Sequence, residues 1–445
     1  MTAPRIRVIG AGLAGVEATW QAVKLGVAVD LYEMKPHKRT PAHHSDGYAE
    51  LVCSNSLRSN QLSNAVGLLK EELNRLGSLV MEAAYATEVP AGGALAVDRH
   101  LFSDYITDKI KNHPLVTVHE CEITDLTDDC ITVVATGPLT SDALAEEIRR
   151  VLQCGELHFY DAAAPIVDFS TVNTDVAFFA SRYGKGNGDD YLNCPMTEEQ
   201  YTAFYDALVS AQEAPLKEFD SASQEDLTVF EGCMPVEVMA KRGKDTLRFG
   251  PMKPVGLPVP STGRDAYATV QLRRENEEGT MYNLVGFQTH LTFPEQRRVF
   301  RLIPGLEEAE FLRYGVMHRN TYLSSPGVLS HTYAMRERPR LFFAGQMTGV
   351  EGYVESASSG LVAGLNAARL ALGQAPVDFT RETMIGALSH YVSEGTQTKF
   401  QPMNANFGII APLQQKVKGG KKARNEAYSA RALNHIDAFR QTWLK

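Results

Sequence analysis

A cysteine in an unusual setting is the first residue of chemical interest. Cys53 stands in the run ELVCSNSLRSN, residues 50–60, among serines and asparagines. Structural cysteines usually have apolar neighbours, whereas these small polar residues favour an exposed turn or a helix start. A thiolate is a strong nucleophile, and nearby donors stabilise it. Taken alone, Cys53 is either an ordinary loop thiol or a group held out for reaction.

A second group of residues can bind a dinucleotide. Gly10, Gly12 and Gly15 follow the GxGxxG spacing, and Glu33 comes about 20 residues later. The first glycine permits a tight turn, the second a close approach of the backbone to a pyrophosphate, and the third close packing of a helix on a strand. Glu33 can accept hydrogen bonds from ribose hydroxyls and disfavours a 2′-phosphate, so FAD or NAD fits better than NADP.

The elements around these glycines must hold them at the cofactor. The pattern predicts a strand over Arg5–Ile9, a helix over Leu13–Leu25 and a second strand over Val27–Tyr32. Gly26 predicts the end of the helix. The amide groups at the helix start would face the phosphates. Strand, turn, helix, strand and acid together predict dinucleotide binding far more strongly than the glycines alone.

Two later stretches favour FAD. A predicted strand from Cys130 ends at Ala135-Thr136-Gly137, and a strand over Arg340–Ala344 precedes a helix over Ser359–Leu372. The turn before that helix holds Gly345, Gln346, Gly349, Gly352 and Tyr353. This order resembles flavoproteins that close their flavin site with a late strand–glycine–helix unit. Most of them carry Asp at the position of Gln346, which points to a particular subfamily.

Composition and order predict the overall class. The chain has 445 residues, 44% of them hydrophobic, which suggests two or three domains at roughly 100–200 residues each. The expected fold class is α/β, with a Rossmann-type FAD-binding domain and an inserted smaller α+β domain. We expect residues 1–194 and 305–445 to form the two parts of the FAD-binding domain and 195–304 the insertion. Strands are expected in TLRFG, AYATVQL and MYNLVGFQTHLTF, and a mobile polar loop in RYGKGNGDDY.

Cysteines and charge limit the compartment and the partners. None of the six cysteines forms a CxxC pair or a zinc-finger spacing, which predicts neither a disulfide framework nor a zinc site. A reducing cytoplasm is the simplest expectation. No signal-peptide pattern and no apolar run of the ~18 residues needed for a membrane span are found. The net charge of −9 argues weakly against a nucleic-acid partner but leaves room for a local basic patch.

Eight stretches together resemble one family closely. They are ELVCSNSLRS, LAVDRHLFS, YLNCPM, FEGCMPVEVMA, LRFGPMKPVGL, VGFQTHLTFPEQRRVFRLIPGL, MHRNTYL and FAGQMTGVEGYVESASSG. They are similar to the folate- and FAD-dependent tRNA (uracil-5-)-methyltransferases, the TrmFO family, from the N-terminus to about Gly373. A larger tRNA-modifying flavoprotein shares the flavin fingerprints, but this chain is too short for it.

The resemblance implies a reaction. A thiolate adds to carbon 6 of uracil, carbon 5 becomes nucleophilic, and a one-carbon unit from 5,10-methylenetetrahydrofolate is transferred with electrons from flavin reduced by NAD(P)H. By motif, the family's two cysteines fall on Cys53 and Cys233. We expect Cys233 to attack uracil and Cys53 to act beside the flavin, as a base or a transient adduct. Their order in the mechanism stays open, as does the role of Cys194.

Two further side chains are candidates for ring contacts. His290 could touch the folate pterin or the flavin, although a lone histidine in an apolar strand is more often structural. Tyr353 could stack on a flavin or a base, and a core tyrosine is the alternative.

The tRNA that the resemblance implies needs a basic surface. The tail supplies a run of cations with no acid among them: Lys416, Lys418, Lys421, Lys422 and Arg424. Two further basic runs, PEQRRVFR and AKRGK, lie in the expected insertion. Phosphate contacts of this kind are independent of sequence and sensitive to salt. The target would be the T-loop uridine, which must leave its stack to reach a thiol.

Two other functions remain possible at this point. One is a generic FAD-dependent NAD(P)H oxidoreductase, which would need no RNA. The other is a non-catalytic tRNA-binding flavoprotein, which would need neither cysteine. The oligomeric state and the choice between NADH and NADPH are left open by the sequence.

Overall fold

The computed structural model describes most of the chain, with short gaps. The described residues are 4–40, 42–127, 129–152, 157–162, 164–184, 186, 188–214, 234–274, 279–315, 317–394, 400, 402–415 and 417–443. In the described residues the strands are β1 (Arg5–Ile9), β2 (Ala28–Glu33), β3 (Ser56–Ser59), β4 (Glu88–Val89), β5 (Ala94–Val97), β6 (Val116–Glu120), β7 (Thr132–Val134), β8 (Leu157–Ala162), β9 (Ile166–Asp168), β10 (Phe178–Phe179), β11 (Tyr191–Met196), β12 (Ala268–Arg274), β13 (Met281–Leu284), β14 (Phe311–Arg313), β15 (Met317–Tyr322) and β16 (Leu341–Phe343). The helices are α1 (Leu13–Lys24), α2 (Ala65–Arg75), α3 (Leu79–Ala86), α4 (Arg99–Lys111), α5 (Asp142–Leu152), α6 (Glu198–Val209), α7 (Val236–Lys241), α8 (Thr246–Phe249), α9 (Phe293–Phe300), α10 (Tyr353–Ala371), α11 (Met384–Glu394) and α12 (Gly420–Trp443).

A parallel five-stranded sheet forms the centre of the first unit, in the order β16-β7-β1-β2-β6. From β1 the strands are added outward in both directions: β2 and β6 on one side, β7 and β16 on the other. Open α/β sheets bind ligands at such a switch point, outside the carboxyl ends of the strands. The predicted α/β class and Rossmann-type arrangement are therefore confirmed, with β1 and β7 flanking the expected cofactor crevice.

Helix α10 packs on α1 with almost no space between the two backbones. A Cβ atom added at Gly360 would lie 2.2 Å from the Ala14 carbonyl oxygen, and one added at Gly364 would lie 2.4 Å from Cα of Ala18. Only glycine fits at these two positions. The contact joins the first helix of the chain to a helix that begins 340 residues later, so the N-terminal and C-terminal parts form one unit.

A second unit is built on an antiparallel six-stranded sheet, in the order β10-β11-β12-β13-β9-β14. One face of β12 is apolar, because Ala268, Val270 and Leu272 are buried in a separate core with α6, α7 and α9. The intervening residues of β12 are polar. Helix α6 begins with a capping box in which Thr197 and Gln200 exchange hydrogen bonds. The antiparallel sheet, with helices packed on its apolar face, confirms an inserted α+β unit.

The strands of this unit come from both sides of the expected limits at 195 and 304. Strands β9, β10 and most of β11 precede Pro195, and β14 follows Pro304. The domain boundaries remain a prediction, and the strand pairing favours wider limits. Two small sheets, β3-β5-β4 and β8-β15, accompany the larger ones. None of the described helices is both long and apolar enough to span a membrane.

Three local expectations were wrong. The stretch TLRFG is helix α8 rather than a strand, and only the first four residues of MYNLVGFQTHLTF form a strand, β13. The late helix starts at Tyr353, six residues before the expected Ser359, because Gly352 at φ 117° ends the turn there. The polar SASS run that obscured this start is buried against the sheet.

Candidate active site

The glycine-rich turn after β1 has the geometry of a pyrophosphate site. Gly10 has a φ of 97°, and a Cβ atom there would lie 2.7 Å from the carbonyl oxygen of Ala135. A Cβ atom at Gly15 would lie 1.8 Å from the carbonyl oxygen of Gly10. Gly12 differs, since nothing lies within 4 Å of its Cβ position and no side chain caps α1. Open space before free helix amides suits an anion.

Glu33 lies at the end of β2 and is nearly buried. Its carboxylate accepts hydrogen bonds from the backbone N–H of Ala11 at 2.8 Å and of Lys35 at 3.0 Å. The acid therefore fixes the shape of the turn, and it also lines the adjoining pocket. Its predicted contact with ribose hydroxyls stays a prediction.

A pocket with about 670 Å³ of empty space adjoins this turn. Its walls come from the carboxyl ends of β1, β2 and β7, including Gly12, Glu33 and Thr136. Gly137 follows Thr136 at a φ of 70°, where the chain turns away from the sheet. The open cradle at Gly12, the uncapped helix and the acid at the next strand match the chemical groups of the adenosine diphosphate part of FAD. The residues present therefore fit this cofactor.

The late turn brings the second flavin fingerprint to the first. Gly345 has a φ of 86°, its N–H donates to Ser359 Oγ at 2.7 Å, and its Cβ position would lie 3.2 Å from Ala14 Cβ. Gln346 follows in a short 3₁₀ turn and is half-buried. The two fingerprints therefore share one crevice. A direct contact between Gln346 and the ribityl chain stays a prediction.

Cys53 lies against Tyr353 at the first residue of α10. The Tyr353 hydroxyl oxygen is 2.8 Å from Cys53 Sγ, and it accepts the backbone N–H groups of Cys53 at 2.8 Å and Ser54 at 3.3 Å. Burial, followed by the neighbouring Cys53, raises the pKa of Tyr353 well above its usual range, so the hydroxyl keeps its proton. Because the oxygen already accepts two N–H groups, its hydrogen is available to the sulfur. This arrangement stabilises a thiolate at Cys53.

The Cys53 segment also contacts the glycine-rich turn. The N–H of Ala49 donates to the carbonyl oxygen of Ala11 at 2.9 Å. Four residues later the chain reaches Cys53 beside Tyr353. Cys53 therefore lies between the two flavin fingerprints, and it belongs to the crevice rather than to a remote loop. Tyr353 is not a simple core tyrosine, because its hydroxyl is committed to Cys53, and a stacking role for its ring stays a prediction.

An ion pair next to this contact was not predicted from the sequence. The Arg58 guanidinium donates to Glu355 Oε1, which also accepts the N–H of Ala405 at 2.8 Å. Glu355 is fully buried in the first turn of α10. A Cβ atom at Gly352 would collide with Glu355 Oε2 at 2.4 Å, so the pair requires glycine there. The only signal in the sequence was an acid three residues after a glycine.

Arg273 on the polar face of β12 reaches across from the second unit. Its Nη2 donates to Ser54 Oγ at 2.7 Å and its Nε to Asn55 Oδ1 at 3.1 Å. Asn55 Nδ2 in turn donates to the carbonyl oxygens of Val97 at 3.0 Å and Arg274 at 2.8 Å. The serine and asparagine beside Cys53 thus hold the two units together. Sequence reasoning missed Arg273, which has no motif of its own.

His290 lies beside the helix that follows Cys233. Its backbone N–H donates to Glu237 Oε1 at 2.7 Å, and Thr289 Oγ1 donates to Glu237 Oε2 at 2.8 Å. Glu237 occupies the first turn of α7, and burial raises its pKa. Cys233 itself lies outside the described residues. His290 is therefore fixed near the start of α7, and its contact with folate or flavin stays a prediction.

The basic tail begins α12. Lys421, Lys422 and Arg424 at its start and Lys418 two residues before it are exposed, while Lys416 lies outside the described residues. Cations at a helix start interact unfavourably with the positive end of the helix dipole, and an anionic partner would offset this interaction. The same helix donates from Asn425 to the carbonyl of Ser63 at 2.9 Å, only ten residues after Cys53 in sequence. Helix α12 therefore contacts the segment that connects Cys53 to α2.

Comparison with known sequences assigns the chain to a family. Residues 5–375 match the sequence model of the family described as glucose inhibited division protein A. The protein named methylenetetrahydrofolate–tRNA-(uracil-5-)-methyltransferase TrmFO from Bacillus licheniformis is 58% identical over 437 residues, covering 98% of this chain and 99% of the relative. The protein of the same name from Listeria monocytogenes is 59% identical over 431 residues, covering 97% and 98%.

A solved structure shares the fold at low sequence identity. Aquifex aeolicus GidA in its form II crystal superposes with a TM-score of 0.71 at 17% identity, covering 99% of this chain and 74% of that one. This likeness concerns the fold alone, whereas the curated relatives match in sequence along nearly their whole length. The chain therefore belongs to the TrmFO family, within the wider family described as glucose inhibited division protein A.

Proposed function

We propose that this chain methylates carbon 5 of the T-loop uridine in tRNA, with 5,10-methylenetetrahydrofolate as the carbon donor and NAD(P)H as the reductant. The observation that carries the proposal is the placement of Cys53 between the two flavin fingerprints, with its sulfur 2.8 Å from the Tyr353 hydroxyl. The names of the close relatives contain the same folate donor, tRNA and uracil carbon. A generic oxidoreductase has no need of this thiol.

Each part of the crevice has a defined task in this proposal. FAD, when bound and reduced, supplies the electrons that convert the transferred carbon to a methyl group. The turn at Gly10 and Gly12 binds the pyrophosphate, and Glu33 holds that turn in shape. Gly345, Gln346 and Gly352 form the wall at the start of α10. His290 is assigned to the ring of the folate or the flavin.

The two cysteines divide the chemistry on uracil. Cys233 adds to carbon 6 as a thiolate, which places negative charge on the ring and makes carbon 5 nucleophilic. After carbon 5 has bonded to the one-carbon unit, Cys53 removes the proton from carbon 5 while the bond between that carbon and its nitrogen carrier breaks, which releases tetrahydrofolate and leaves a methylene group on carbon 5. A hydride equivalent then reduces the methylene to a methyl group as the Cys233 thiolate leaves carbon 6. Tyr353 donates to the Cys53 sulfur and so keeps it in the form that accepts a proton. The order of the two cysteines is part of the proposal.

The partner and the compartment follow from the same reasoning. The exposed cations at Lys418, Lys421, Lys422 and Arg424, with Lys416 before them, are assigned to the phosphates of the tRNA. The four cysteines in the described part of the chain, Cys53, Cys121, Cys130 and Cys194, form no disulfide. Reduced cysteines and a tRNA substrate support a cytoplasmic enzyme.

Nucleoside mass spectrometry tests the proposal directly. Purified protein is incubated with FAD, NADH, methylenetetrahydrofolate and an unmodified tRNA transcript, and 5-methyluridine is measured. We expect product with the wild type and none with Cys53→Ala or Cys233→Ala. Cys130→Ser is the matched control, because Cys130 lies just before β7, at the end of that strand away from the crevice, with its sulfur 3.4 Å from Thr132 Oγ1. It should retain activity.

Two other outcomes would identify the rival functions. NADH oxidation at a rate independent of RNA, with no 5-methyluridine formed, would support a generic flavin oxidoreductase. Tight tRNA binding without product, unaffected by either cysteine substitution, would leave a non-catalytic tRNA-binding flavoprotein.

A further inference from the structure

An exposed tyrosine stands in the glycine-rich stretch RYGKGNGDDY, which the reaction above does not use. The side chain of Tyr183 is 61% exposed. Its backbone has a φ of 58° and a ψ of 27°, a left-handed conformation that disfavours any residue with a Cβ atom. A large aromatic ring held in solvent by an unfavourable backbone conformation needs a reason, since such positions concentrate at functional sites.

Contacts on both sides hold this ring in place. The N–H of Tyr183 donates to the carbonyl oxygen of Gly256 at 3.1 Å. The ring lies against Gly256, where a Cβ atom would come within 2.6 Å of its Cε1. The neighbouring Arg182 donates to the carbonyl oxygens of Lys253, at 2.8 Å, and Val255. The tyrosine is therefore pre-positioned rather than loosely attached.

A chain of hydrogen bonds places Tyr183 on the same side of the second sheet as Cys53. Arg182 Nη2 donates to Gln271 Oε1 at 3.1 Å. Gln271 and Arg273 are two residues apart on β12 and share its polar face, about 7 Å apart along the strand. Arg273 bonds Ser54, the neighbour of Cys53. Tyr183 therefore lies on the side of the second sheet that faces the loop carrying Cys53.

We propose that Tyr183 is a stacking platform for an unpaired base of the tRNA, next to the uridine that enters the crevice. Aromatic side chains bind single-stranded RNA in this way when a cation nearby meets the backbone. Lys253 is exposed beside the tyrosine and can meet a phosphate, whereas Arg182 is occupied by carbonyl oxygens. The inference rests on the proposed function, because it names how that site receives its RNA.

Binding of a T-arm hairpin RNA lacking modifications tests the platform. Anisotropy of a labelled hairpin gives the Kd at several salt concentrations. We expect Tyr183→Ala to bind about five- to a hundred-fold more weakly, the range for losing one stacked base, while Tyr183→Trp and Tyr183→Phe bind like the wild type. Because the ring is exposed, these variants should keep the wild-type melting temperature.

The salt dependence separates stacking from charge. Tyr183→Ala should leave the slope of log K against log salt unchanged, whereas Lys253→Gln should reduce it by about 0.7–0.9, the value for one phosphate that a single cation neutralises. Phe293→Ala is the matched control. Its side chain is 52% exposed on α9, and this helix packs on the apolar face of β12, opposite the face that carries Gln271 and Arg273. It should bind the hairpin normally.

Three results would overturn the inference. They are unchanged hairpin affinity in Tyr183→Ala, an equal loss in Tyr183→Phe, and a raised KM for methylenetetrahydrofolate with normal RNA binding, which would assign the ring to the folate. If the wild type forms 5-methyluridine on the hairpin while Tyr183→Ala binds normally, only the stacking proposal is rejected and the proposed function stands. If the wild type forms none, the proposed function fails.

Discussion

Single residues in the crevice depend on partners that are remote in the chain. The GxGxxG spacing predicted the form of the turn, because Gly10 and Gly15 meet backbone of the same turn or of the neighbouring strand, while Gly12 faces open space. Arg273 could not be found in this way. Its partner Asn55 lies 218 residues away, and an arginine in a strand carries no signal of that distance. Motifs report local geometry, whereas this contact depends on how two units dock.

The hydroxyl of Tyr353 should control the reactivity of Cys53. Tyr353→Phe removes the donor to the sulfur and leaves the N–H of Cys53 without this acceptor. We expect kcat to fall about 10- to 100-fold, corresponding to the ~1.5–3 kcal/mol of a hydrogen bond to a charged group. Alkylation of Cys53 by iodoacetamide, followed by peptide mass spectrometry, should slow in parallel. Tyr105→Phe, which loses a surface bond to Glu82, is the control. Normal alkylation in Tyr353→Phe would contradict this role.

Arg273 should act as a positioning residue for the same loop. Arg273→Ala removes the bonds to Ser54 and Asn55, so we expect a lower kcat with an unchanged KM for folate, by about tenfold or more. The pH profile of Cys53 alkylation should shift as well. Arg273→Lys should restore only part of the rate, because an ammonium cannot bond both partners in the same fork.

Arg274→Ala provides the matched control for Arg273. Its side chain points to the other face of β12, and only its carbonyl bonds Asn55. If both variants lost activity equally, general damage to β12 would explain the result instead.

At the scale of elements, strongly patterned segments were predicted and short ones were not. The β1–α1–β2 unit agreed within a residue, because its apolar positions and Gly26 determine both ends locally. The TLRFG segment was misassigned, since four residues contain little more than one helical turn of pattern. The early start of α10 was missed because its serines are buried by tertiary contacts, as Ser359 shows in bonding Gly345.

Helix α2 supports β3 through a buried amine, which predicts a pH dependence of stability. Lys70 Nζ donates to the carbonyl oxygens of Leu57 and Arg58, both at 3.0 Å. Burial first, and then Arg58, lowers the pKa of Lys70 to about 7. Between pH 7 and about 10 the unfolded chain binds the proton and the folded chain does not. The contribution of Lys70 to the free energy of unfolding should therefore rise with pH across this window, by at most about 1.4 kcal/mol per pH unit.

Urea unfolding at pH 7, 8 and 9 measures this effect. Lys70→Met fills the same space without a titrating group, so the slope of its free energy of unfolding against pH should be less positive than that of the wild type. Lys111→Met is the control, because Lys111 is an exposed lysine on α4 paired with Glu120. Equal slopes for the wild type and Lys70→Met would contradict the assignment.

At the scale of the whole molecule, the two units meet beside Cys53, and the tail helix α12 contacts the segment between Cys53 and α2. The sequence indicated a split FAD-binding domain with an insertion, because the two fingerprints lie at opposite ends of the chain. It did not indicate that the second sheet recruits β9 to β11 from before the insertion. Those strands are two to six residues long, too short for a reliable alternating pattern.

The basic start of α12 should contribute to tRNA affinity through charge alone. The double substitution Lys421→Gln and Lys422→Gln should weaken tRNA binding at low salt and reduce the slope of log K against log salt by about 0.7–0.9 for each phosphate that is no longer neutralised. Electrophoretic mobility shifts at three salt concentrations provide the measurement. Arg440→Gln, an exposed cation at the other end of the same helix, should leave the slope unchanged. A slope that stays constant in the double variant would place the RNA elsewhere.

The backbone contact of α10 with α1 has a consequence during synthesis on the ribosome. The wall that Gly360 and Gly364 bring against Ala14 and Ala18 does not exist until more than 350 residues have been translated. A nascent chain arrested before that point carries an intact GxGxxG turn but only half of the crevice. We therefore expect flavin to load late in synthesis, and fragments released early should be colourless.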